Sequence, residues 1–338
     1  MQGKNNRFPS QEATSNTKGC PIGVDLLGSD TPPEDLLQEI IPFAKTLPAH
    51  VTLHIFGTHG LFLGHLSSPP HLIFHEVSEV ISMEDDPLKA LRLKKNSSIC
   101  TGIKMLKEGT LNAFVSAGNT GALMACAKLQ LPMLPGMARP ALLTLLPTRE
   151  HDIAVLDVGA NTSFKAEHLL QFAAMGIAYQ KNRGIDTPKV GLLNIGAEAQ
   201  KGTPELREAH SLLSTLDAFV GNIEARDVFQ GKIHVLVTDG FTGNIFLKTA
   251  EGIAAVILDQ LEEIAQEECS PHLKGVLAEM RHRLHYAEYP GALLCGVDGL
   301  VMKCHGNSSP QSMKHTITSA IRLVDHGFLE RTKQQLLS

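Results

Sequence analysis

The sequence lacks the short motifs that mark several large enzyme classes. It contains no GxxxxGK[ST] phosphate loop, no GxGxxG turn opening a βαβ unit, no GxSxG nucleophile elbow and no HExxH pair. Its six cysteines form no CxxC pair and have no zinc-like spacing with histidine. These absences disfavour an ATPase or a dehydrogenase, and they favour buried free thiols in a reducing compartment.

An excess of basic charge and a long apolar run are also missing. Lysine and arginine number 30 against 35 acidic residues, and the net charge of -5 gives no reason to expect nucleic acid as a partner. No window approaches the roughly 18 apolar residues of a membrane span, and the polar residues 1–19 lack the apolar core of a signal peptide. We therefore expect a soluble, cytoplasmic protein with a flexible extension over 1–19. The remaining residues, 20–338, are enough for a single large α/β catalytic domain.

The segment 113–125, AFVSAGNTGALMA, is the most informative stretch of the chain. An apolar run leads into Ser-Ala-Gly-Asn-Thr-Gly, and a segment rich in Ala, Leu and Met follows. This order predicts a buried strand, a tight polar turn and a helix that begins at Asn119 or Thr120. Gly118 and Gly121 let the backbone approach a ligand closely, and the unpaired N–H groups of the first helical turn favour an anion.

The same arrangement recurs after this segment. Residues 153–165, 190–204 and 233–250 each read as an apolar strand, a small polar turn and a helix, with the last of these turns expected at 239–244. Apolar strands that alternate with helices predict a mostly parallel sheet with helices on both faces, and hence an α/β fold. Ligands of such sheets bind outside the carboxyl ends of the strands, so we expect all of these turns to face one crevice.

The turns together offer amides, hydroxyls, carboxylates and cations, a set that suits a small anion with several oxygens such as phosphate. Each group also has a purely structural interpretation. A carboxylate at a strand end often forms a turn, a lysine before glycine often lies in a solvated loop, and a histidine before glycine is as often structural as ligating. The candidate side chains are Ser116, Asn119, Thr120, Asp157, Asn161, Lys165, Glu198, Lys201, Asp239, Thr242, Asn244, Lys248, Lys303 and His305.

Residues 250–286 have a different pattern, with apolar residues at i, i+3 and i+4 on both sides of Ser270-Pro271. This periodicity predicts an antiparallel helix pair with one apolar stripe on each helix. Packing within the domain or against a second subunit is the favoured interpretation. Contact with a membrane surface is the alternative, and the four basic residues between 274 and 283 support it.

The order of longer motifs along the chain resembles that of the phosphate acyltransferase family of bacterial phospholipid synthesis. Enzymes of this family make acyl-phosphate from acyl-acyl carrier protein and inorganic phosphate. Two motifs depart from the family pattern: Ser29 replaces the second glycine of Asp-Ala-Met-Gly-Gly-Asp, and Pro290 replaces the first glycine of Tyr-Gly-Gly-Ala. The resembling segments, spread over 24–319, include SAGNTGALM, RPAL, LDVGAN, LLQFAAMG, VGLLNIGAEAQKG, GNIEARD, VTDGFTGNIFLKTAEG and HGNSS.

The resemblance implies a three-layer αβα sandwich like that of the isopropylmalate dehydrogenases and the phosphotransacetylases, with a protruding C-terminal helix pair. It also implies a homodimer, no metal or nucleotide cofactor, and acyl carrier protein and inorganic phosphate as partners. The helix pair would attach the protein peripherally to the cytoplasmic membrane, where a downstream glycerol-3-phosphate acyltransferase would use the product. The runner-up functions are a short-chain phosphotransacetylase acting on acyl-CoA and a non-catalytic membrane-associated scaffold.

Together, the turns and the resemblance predict direct attack of phosphate on the thioester, with no acyl-enzyme and with a histidine protonating the leaving thiolate. The acidic acyl carrier protein would need a local basic patch, either within 92–95 or within 274–283. The predicted catalytic residues are Lys201, His305, Asn161 and Asp239, and the predicted phosphate and substrate contacts are Ser116, Gly118, Asn119, Thr120, Gly121, Thr242, Gly243 and Asn244.

Overall fold

A computed structural model describes residues 19–63, 71–267, 274–277, 280, 291–304 and 309–337. These residues form two compact units. The terminal unit combines 19–140 with 291–337, and the central unit consists of the described residues between 141 and 280. The extension expected over 1–19 lies outside the described residues except for Gly19, and the single domain expected over 20–338 stays a prediction.

Strands and helices alternate along most of the chain. The strands are β1 (Cys20–Asp25), β2 (Val51–Gly57), β3 (Leu72–Glu76), β4 (Ala113–Ser116), β5 (Ala141–Pro147), β6 (Asp152–Leu156), β7 (Val190–Leu193), β8 (Phe219–Ile223), β9 (Val235–Val237), β10 (Gly291–Cys295) and β11 (Leu300–Cys304). The helices are α1 (Pro33–Ala44), α2 (His59–Phe62), α3 (Pro87–Leu93), α4 (Ser98–Lys107), α5 (Thr120–Gln130), α6 (Ala166–Asn182), α7 (Pro204–Leu213), α8 (Ala225–Val228), α9 (Gly240–Glu267), α10 (Pro310–Asp325) and α11 (Phe328–Leu337).

In the terminal unit the strand order is β3-β2-β1-β4-β11-β10. Neighbouring strands are parallel except for β10 and β11, which are antiparallel. Helices α1 and α10 pack together and contact β2 and β1, while α4 and α5 form a second packed group that contacts β1, β4 and β11. The strands are apolar along almost their whole length because their side chains are buried between helices.

In the central unit the strand order is β5-β6-β9-β7-β8, with β5 antiparallel to β6 and the other pairs parallel. Helices α6 and α7 pack together, and α6 contacts β6 and β9. Gly176 allows this close packing, because a β-carbon at that position would collide with a methyl carbon of Val235. The prediction of an α/β fold with a mostly parallel sheet and flanking helices is therefore confirmed in each unit.

The helix pair expected over 250–286 differs from the structure at its beginning. Helix α9 starts at Gly240 and runs for 28 residues, so 239–244, expected as a turn, form its cap and first turn. Gly240–Ala265 reaches a mean hydropathy of 1.3 and is long and apolar enough to cross a membrane by length and composition alone. The expectation that no window approaches a membrane span differs from this result, because the helix begins at Gly240 and so includes residues that were expected to form a turn before it. Of the second helix, only 274–277 and 280 are among the described residues.

His54 and His75 form an imidazole pair in the terminal unit. Nδ1 of His54, on β2, lies 2.8 Å from Nε2 of His75, on β3, and the two rings are stacked. Burial and, to a smaller extent, the neighbouring imidazole lower the pKa of His54 to about 4. The folded protein therefore holds His54 neutral at pH values where the unfolded chain, with an ordinary pKa of about 6.5, is protonated.

This pair should make the folded state less stable as the pH falls from about 6.5 to about 4. In that window the unfolded state binds the additional proton, and the free energy of unfolding drops by at most about 1.4 kcal/mol per pH unit for His54. Urea unfolding measured across this range should show a flatter slope for His54→Gln. His59→Gln is the control, since the His59 side chain is 72% exposed. Equal slopes for the wild type and His54→Gln would contradict the prediction.

Candidate active site

Three neighbouring strands of the terminal unit end in a buried polar cluster of Asp25, Ser98, Ser116 and Lys303, called here the Asp25 cluster. Asp25 ends β1, Ser116 ends β4, and Lys303 lies one residue before the end of β11. The parallel registers pair Asp25 with Ser116 and Ser116 with Lys303. Three strand ends therefore bring these side chains to one edge of the sheet.

Hydrogen bonds hold the carboxylate of Asp25 in place. Its Oδ2 accepts from the Ser116 hydroxyl at 2.7 Å, its Oδ1 accepts from the Leu27 N–H at 3.0 Å, and Ser98 donates a further bond. Complete burial raises the pKa of Asp25, and these bonds together with the charge of Lys303 oppose the rise. The carboxylate acts as an internal anchor that joins the start of α4 to the turn after β4.

Lys303 carries an ammonium group that is buried at the same strand ends. The residue is 6% exposed, and its Nζ donates to the carbonyl of Ala117 at 3.1 Å and to the carbonyl of Cys304. Because Ala117 lies in the turn after β4, Lys303 holds that turn through its main chain. The sequence marks Lys303 only as one cation among several, since no local spacing reveals that β11 lies beside β4.

The turn after β4 is built around Asn119. Its Oδ1 accepts from the N–H of Ala122 at 3.0 Å and so caps α5. Its Nδ2 donates to the carbonyls of Ser82, Met83 and Asp85 at 3.1 to 3.2 Å. Both polar atoms of the side chain are therefore engaged within the protein, and a direct contact of this side chain with substrate stays a prediction.

The N-terminus of α5 keeps two main-chain donors. Within the part of the chain that the structure describes, the N–H groups of Thr120 and Gly121 make no hydrogen bond, and both residues are partly exposed. Gly121 is packed closely, since a β-carbon there would lie 2.6 Å from Cγ of Pro87. The helix start predicted from the sequence is confirmed, and its two unpaired N–H groups can bind an anion.

The loop after β1 shows how the departure at Ser29 is accommodated. Gly28 has a φ of +71°, and a β-carbon on it would collide with the carbonyl oxygen of Ile81. The Ser29 hydroxyl donates to the carbonyl of Thr31 at 2.9 Å. Ser29 therefore stabilises the loop from within. The second departure, Pro290, lies outside the described residues.

In the central unit, the carboxylate of Asp157 organises the turn after β6. Its Oδ1 accepts from the N–H groups of Leu142, Gly159 and Ala160 at 3.0, 3.1 and 2.8 Å. Its Oδ2 accepts from the N–H and the side-chain Nδ2 of Asn161 at 2.7 and 2.9 Å. Burial raises the pKa of Asp157, and the hydrogen bonds oppose the rise. The carboxylate is the framework of the turn that carries Asn161.

Asp239 caps helix α9. Its Oδ1 accepts from the N–H groups of Phe241 and Thr242 at 3.0 and 2.9 Å, and its carbonyl accepts from the N–H of Gly243 at 2.8 Å. The N–H of Gly240 donates to the carbonyl of Asn161 at 3.1 Å. The first turn of α9 therefore has its donors bonded within the protein and already carries a carboxylate. The start of α5 has unbonded N–H groups and the start of α9 does not, so an anion is favoured at the start of α5.

Helix α9 begins in close contact with the turn after β6. A β-carbon on Gly243 would collide with the carbonyl oxygen of Asp157, and one on Gly240 would lie 2.7 Å from Asp157 Oδ2. Asn244 lies beside Gly159, where a β-carbon would be 3.6 Å from Asn244 Oδ1. Gly240 was not among the predicted contacts, and its close packing depends on the pairing of β6 with β9.

Lys201 lies in an ordered loop after β7. Asn194 supports this loop, because its Oδ1 accepts from the Ile195 N–H at 2.9 Å and its Nδ2 donates to the Lys201 carbonyl at 3.1 Å. The Lys201 side chain is exposed, and among the described residues its ammonium group makes no hydrogen bond or ion pair. It is a positive charge on a fixed loop that an anion can reach.

Parallel pairing brings several of the predicted site residues to one edge of the central unit. Because β6, β9 and β7 are adjacent and parallel, the turns after them share the carboxyl edge of the strands. The loops after β6 and β7 carry Asn161 and Lys201, and the cap and first turn of α9, directly after β9, carry Asp239, Thr242, Gly243 and Asn244. Both Thr242 and Asn244 are exposed. The catalytic roles assigned to them stay predictions.

The terminal unit brings together the second set of predicted residues. Ser116, Gly118, Asn119, Thr120 and Gly121 lie at the end of β4, and His305 lies outside the described residues. Sequence reasoning missed Asp25 and Ser98 as members of this set. The available signal for Asp25 was its position at the end of an apolar strand, which is the position that Asp157 also has.

Comparison with known proteins decides the family. The chain matches the family model described as "Fatty acid synthesis protein" over residues 20–331. The phosphate acyltransferases of Chlamydia abortus and Thermotoga neapolitana are each 40% identical to it, over 327 and 309 residues. These matches cover 93% and 89% of this chain and 98% and 92% of the relatives. The chain belongs to the phosphate acyltransferase family.

This member of the phosphate acyltransferase family has a phosphotransacetylase-like fold. The phosphotransacetylase from Streptococcus pyogenes matches with a TM-score of 0.58 at 16% identity, covering 95% of each chain. A branched-chain phosphotransacylase from Enterococcus faecalis matches with a TM-score of 0.56 at 12% identity, covering 90% of this chain and 99% of its own. The predicted family and the predicted class of enzyme, an acyltransferase, are confirmed.

Proposed function

We propose that this phosphate acyltransferase moves a fatty acyl group from acyl-acyl carrier protein to inorganic phosphate and supplies acyl-phosphate for the acylation of glycerol-3-phosphate. The match over almost the full length of relatives named phosphate acyltransferase carries the proposal. A phosphate oxygen attacks the thioester carbonyl carbon, the C–S bond breaks, and the carrier thiolate takes up a proton. The step needs no acyl-enzyme, because phosphate itself is the nucleophile.

The start of α5 is our candidate for the phosphate-binding position. The N–H groups of Thr120 and Gly121 are unbonded within the described residues, and the helix dipole favours an anion there. Lys303 bonds the carbonyl of Ala117 in the turn, and Asp25 bonds Ser116 directly before it, so both residues fix the position of these N–H donors. Near pH 7 inorganic phosphate is a mixture of the monoanion and the dianion, and the dianion needs little help from a general base because its attacking oxygen already carries a negative charge.

Lys201 is our candidate for contact with phosphate or with the oxyanion of the tetrahedral intermediate. Its exposed ammonium lies on a loop held by Asn194. Thr242 and Asn244 offer exposed hydroxyl and amide groups at the same strand edge. Asp239 would act through the N-cap it provides to α9, and His305 would protonate the leaving thiolate.

The proposal is tested by incubating the purified protein with inorganic phosphate and palmitoyl-acyl carrier protein. Acyl-phosphate should form together with one free carrier thiol per turnover. Product only from short-chain acyl-CoA would favour the phosphotransacetylase reading, and no product from either donor would favour a scaffold. Labelled acyl-carrier substrate without phosphate should leave no acyl group on the protein, and a labelled protein would overturn direct attack.

Helix α3 is our candidate docking surface for the acidic carrier protein. Of the basic residues in 92–95, Lys94 is already engaged: its Nζ lies 2.5 Å from Asp85 Oδ2 and donates to the carbonyl of Val80 at 2.8 Å. Arg92 and Lys95 are exposed, next to the exposed apolar side chain of Leu93. Positive charge beside an apolar side chain complements an acidic partner.

Reversing both charges, Arg92→Glu with Lys95→Glu, should raise the KM for palmitoyl-acyl carrier protein by about tenfold or more, equivalent to about 1.4 kcal/mol, and leave kcat unchanged. The physical reason is the loss of attraction between the two proteins before chemistry. Lys45→Glu with Arg331→Glu is the matched control, since both are exposed cations of the terminal unit. A KM unchanged relative to this control would remove α3 from the docking surface.

The apolar face of α9 is our candidate for the contact with a second subunit and with the cytoplasmic membrane. Ile253, Val256 and Ile257 are 58%, 54% and 49% exposed. Ile253→Glu with Ile257→Glu should dissociate a homodimer in sedimentation, or abolish flotation with anionic vesicles, or both. Lys181→Glu, at an exposed position of α6, changes the net charge by the same two units away from this face and should change neither. Unchanged assembly and unchanged flotation would exclude this face from both contacts.

A further inference from the structure

Two buried thiols of the terminal unit lie next to each other. Cys100 is the third residue of α4, and Cys126 lies in the last turns of α5. Their Sγ atoms are 4.0 Å apart, with the Cys126 thiol donating to Cys100. Gln130 donates from Nε2 to Cys126 Sγ at 3.1 Å. Neither thiol has a role in the proposed acyl transfer.

The surroundings make Cys100 the more reactive of the two. It lies in the first turn of α4, where the helix N-terminus stabilises a thiolate. Hydrogen bonds from the Cys126 thiol and at Ser97 lower the pKa of Cys100, against the opposing effects of burial and of the Glu79 charge. The hydrogen bond to Cys100 and, to a smaller extent, burial raise the pKa of Cys126. Cys100 keeps 8% of its surface exposed, which gives a small oxidant a point of access, whereas Cys126 keeps 1%.

We propose that Cys100 and Cys126 form a reversible disulfide when the protein meets a peroxide, so that the contact between α4 and α5 is a redox-sensitive modification site. The Cys100 sulfur takes one oxygen from the peroxide and becomes a sulfenic acid. The Cys126 sulfur then displaces that oxygen as water and forms the S–S bond. Overall, two thiols lose two electrons and two protons, and one hydrogen peroxide is reduced to two waters. A dithiol reductant reverses the reaction by exchange.

The disulfide would disturb the Asp25 cluster, which supports the proposed phosphate position at the start of α5. This consequence rests on the proposed function. An S–S bond is about 2.05 Å long, so the two sulfurs must approach by about 2 Å. Helix α4 begins at Ser98, and α5 follows the short turn after Ser116, the last residue of β4; both serines donate to Asp25. Any part of this approach that the helices make, beyond rotation of the two cysteine side chains, moves Ser98 and Ser116 relative to Asp25. A misplacement of about 1 Å near a reacting centre can cost about a hundredfold in rate.

The experiment uses the reduced full-length protein treated with a small excess of hydrogen peroxide, followed by alkylation of free thiols, proteolysis and mass spectrometry. A cross-linked peptide containing Cys100 and Cys126 should appear and should vanish after dithiothreitol. Cys100→Ser and Cys126→Ser, which keep a small polar atom at each position, should each abolish it. Cys295→Ser, at a half-buried thiol of the same unit, should retain it.

The activity of the same samples provides the second readout. Peroxide should lower turnover of the wild type by about tenfold or more, with recovery in dithiothreitol, while both serine variants keep their activity. Absence of the peptide, or its persistence in Cys126→Ser, would overturn the disulfide. A peptide formed without loss of activity would overturn the coupling to the Asp25 cluster. If the reduced protein forms no acyl-phosphate while the peptide appears, the proposed function fails and the redox site stands.

Discussion

Replacing Lys201 with alanine should lower turnover by at least about a hundredfold, the effect of losing one donor from an oxyanion site. The ammonium group is exposed and makes no hydrogen bond or ion pair within the described residues, so the fold does not depend on its charge. Its loop is held by main-chain and Asn194 contacts, which the substitution leaves in place. The loss should therefore appear in kcat, with the thermal midpoint of unfolding unchanged.

Lys189→Ala is the matched control for Lys201→Ala. Lys189 is an exposed lysine of the central unit that precedes β7, at the opposite end of the strand from Lys201. The Lys189→Ala substitution should leave kcat and the thermal midpoint of unfolding unchanged. Near-normal turnover of Lys201→Ala with palmitoyl-acyl carrier protein would remove this lysine from the active site.

Replacing Asp157 with alanine should lower the free energy of unfolding by at least about 3 kcal/mol. The carboxylate accepts five hydrogen bonds from Leu142, Gly159, Ala160 and Asn161. Removing it leaves the buried N–H of Leu142 and the part-buried donors of Gly159, Ala160 and Asn161 without their acceptor. Each buried group left unsatisfied costs about 1–3 kcal/mol unless water replaces the acceptor. Urea unfolding at pH 7, followed by circular dichroism, measures the loss.

Two further variants sharpen this test. Asp186→Ala removes an exposed carboxylate of the central unit and should change the free energy of unfolding by less than about 0.5 kcal/mol. Asp157→Asn keeps the volume but places an amide N–H₂ against N–H donors, so it should also destabilise the protein by several kcal/mol, on the order of the loss in Asp157→Ala. Wild-type stability in Asp157→Asn would show that the turn does not need a carboxylate.

Much of the local structure follows from the sequence, because the responsible forces act over a few residues. Helix α5 begins at Thr120 with Asn119 as its N-cap, as the Ser-Ala-Gly-Asn-Thr-Gly turn predicts. The predicted turn at 239–244 is wrong, because these residues form the cap and first turn of α9. An Asp before glycine can end a strand in a turn or cap a helix, and the close fit of Gly243 over the carbonyl of Asp157 selects the helix.

The assignment of site residues shows the same division. Asn119 and Asp239 are predicted ligand-binding residues, and their side chains make hydrogen bonds that stabilise the starts of α5 and α9. Both residues lie shortly after the end of a strand, as the sequence predicts. Whether a polar atom at such an end is free depends on the neighbouring segments, and those cannot be identified from local spacing.

The sequence by itself determined the family, the alternation of apolar strands with helices, and the polar turn that follows β4. These features depend on periodicity, capping residues and long specific motifs, all of which are local. Only the tertiary structure decided what holds that turn in place. Ser116 reaches Asp25 across 91 residues and Lys303 reaches Ala117 across 186, because parallel pairing sets β1, β4 and β11 side by side. The sequence shows this turn only as a local polar segment, but in the fold the buried carboxylate of Asp25 and the buried ammonium of Lys303 hold it in place. The first N–H groups of α5 are therefore left available to an anion.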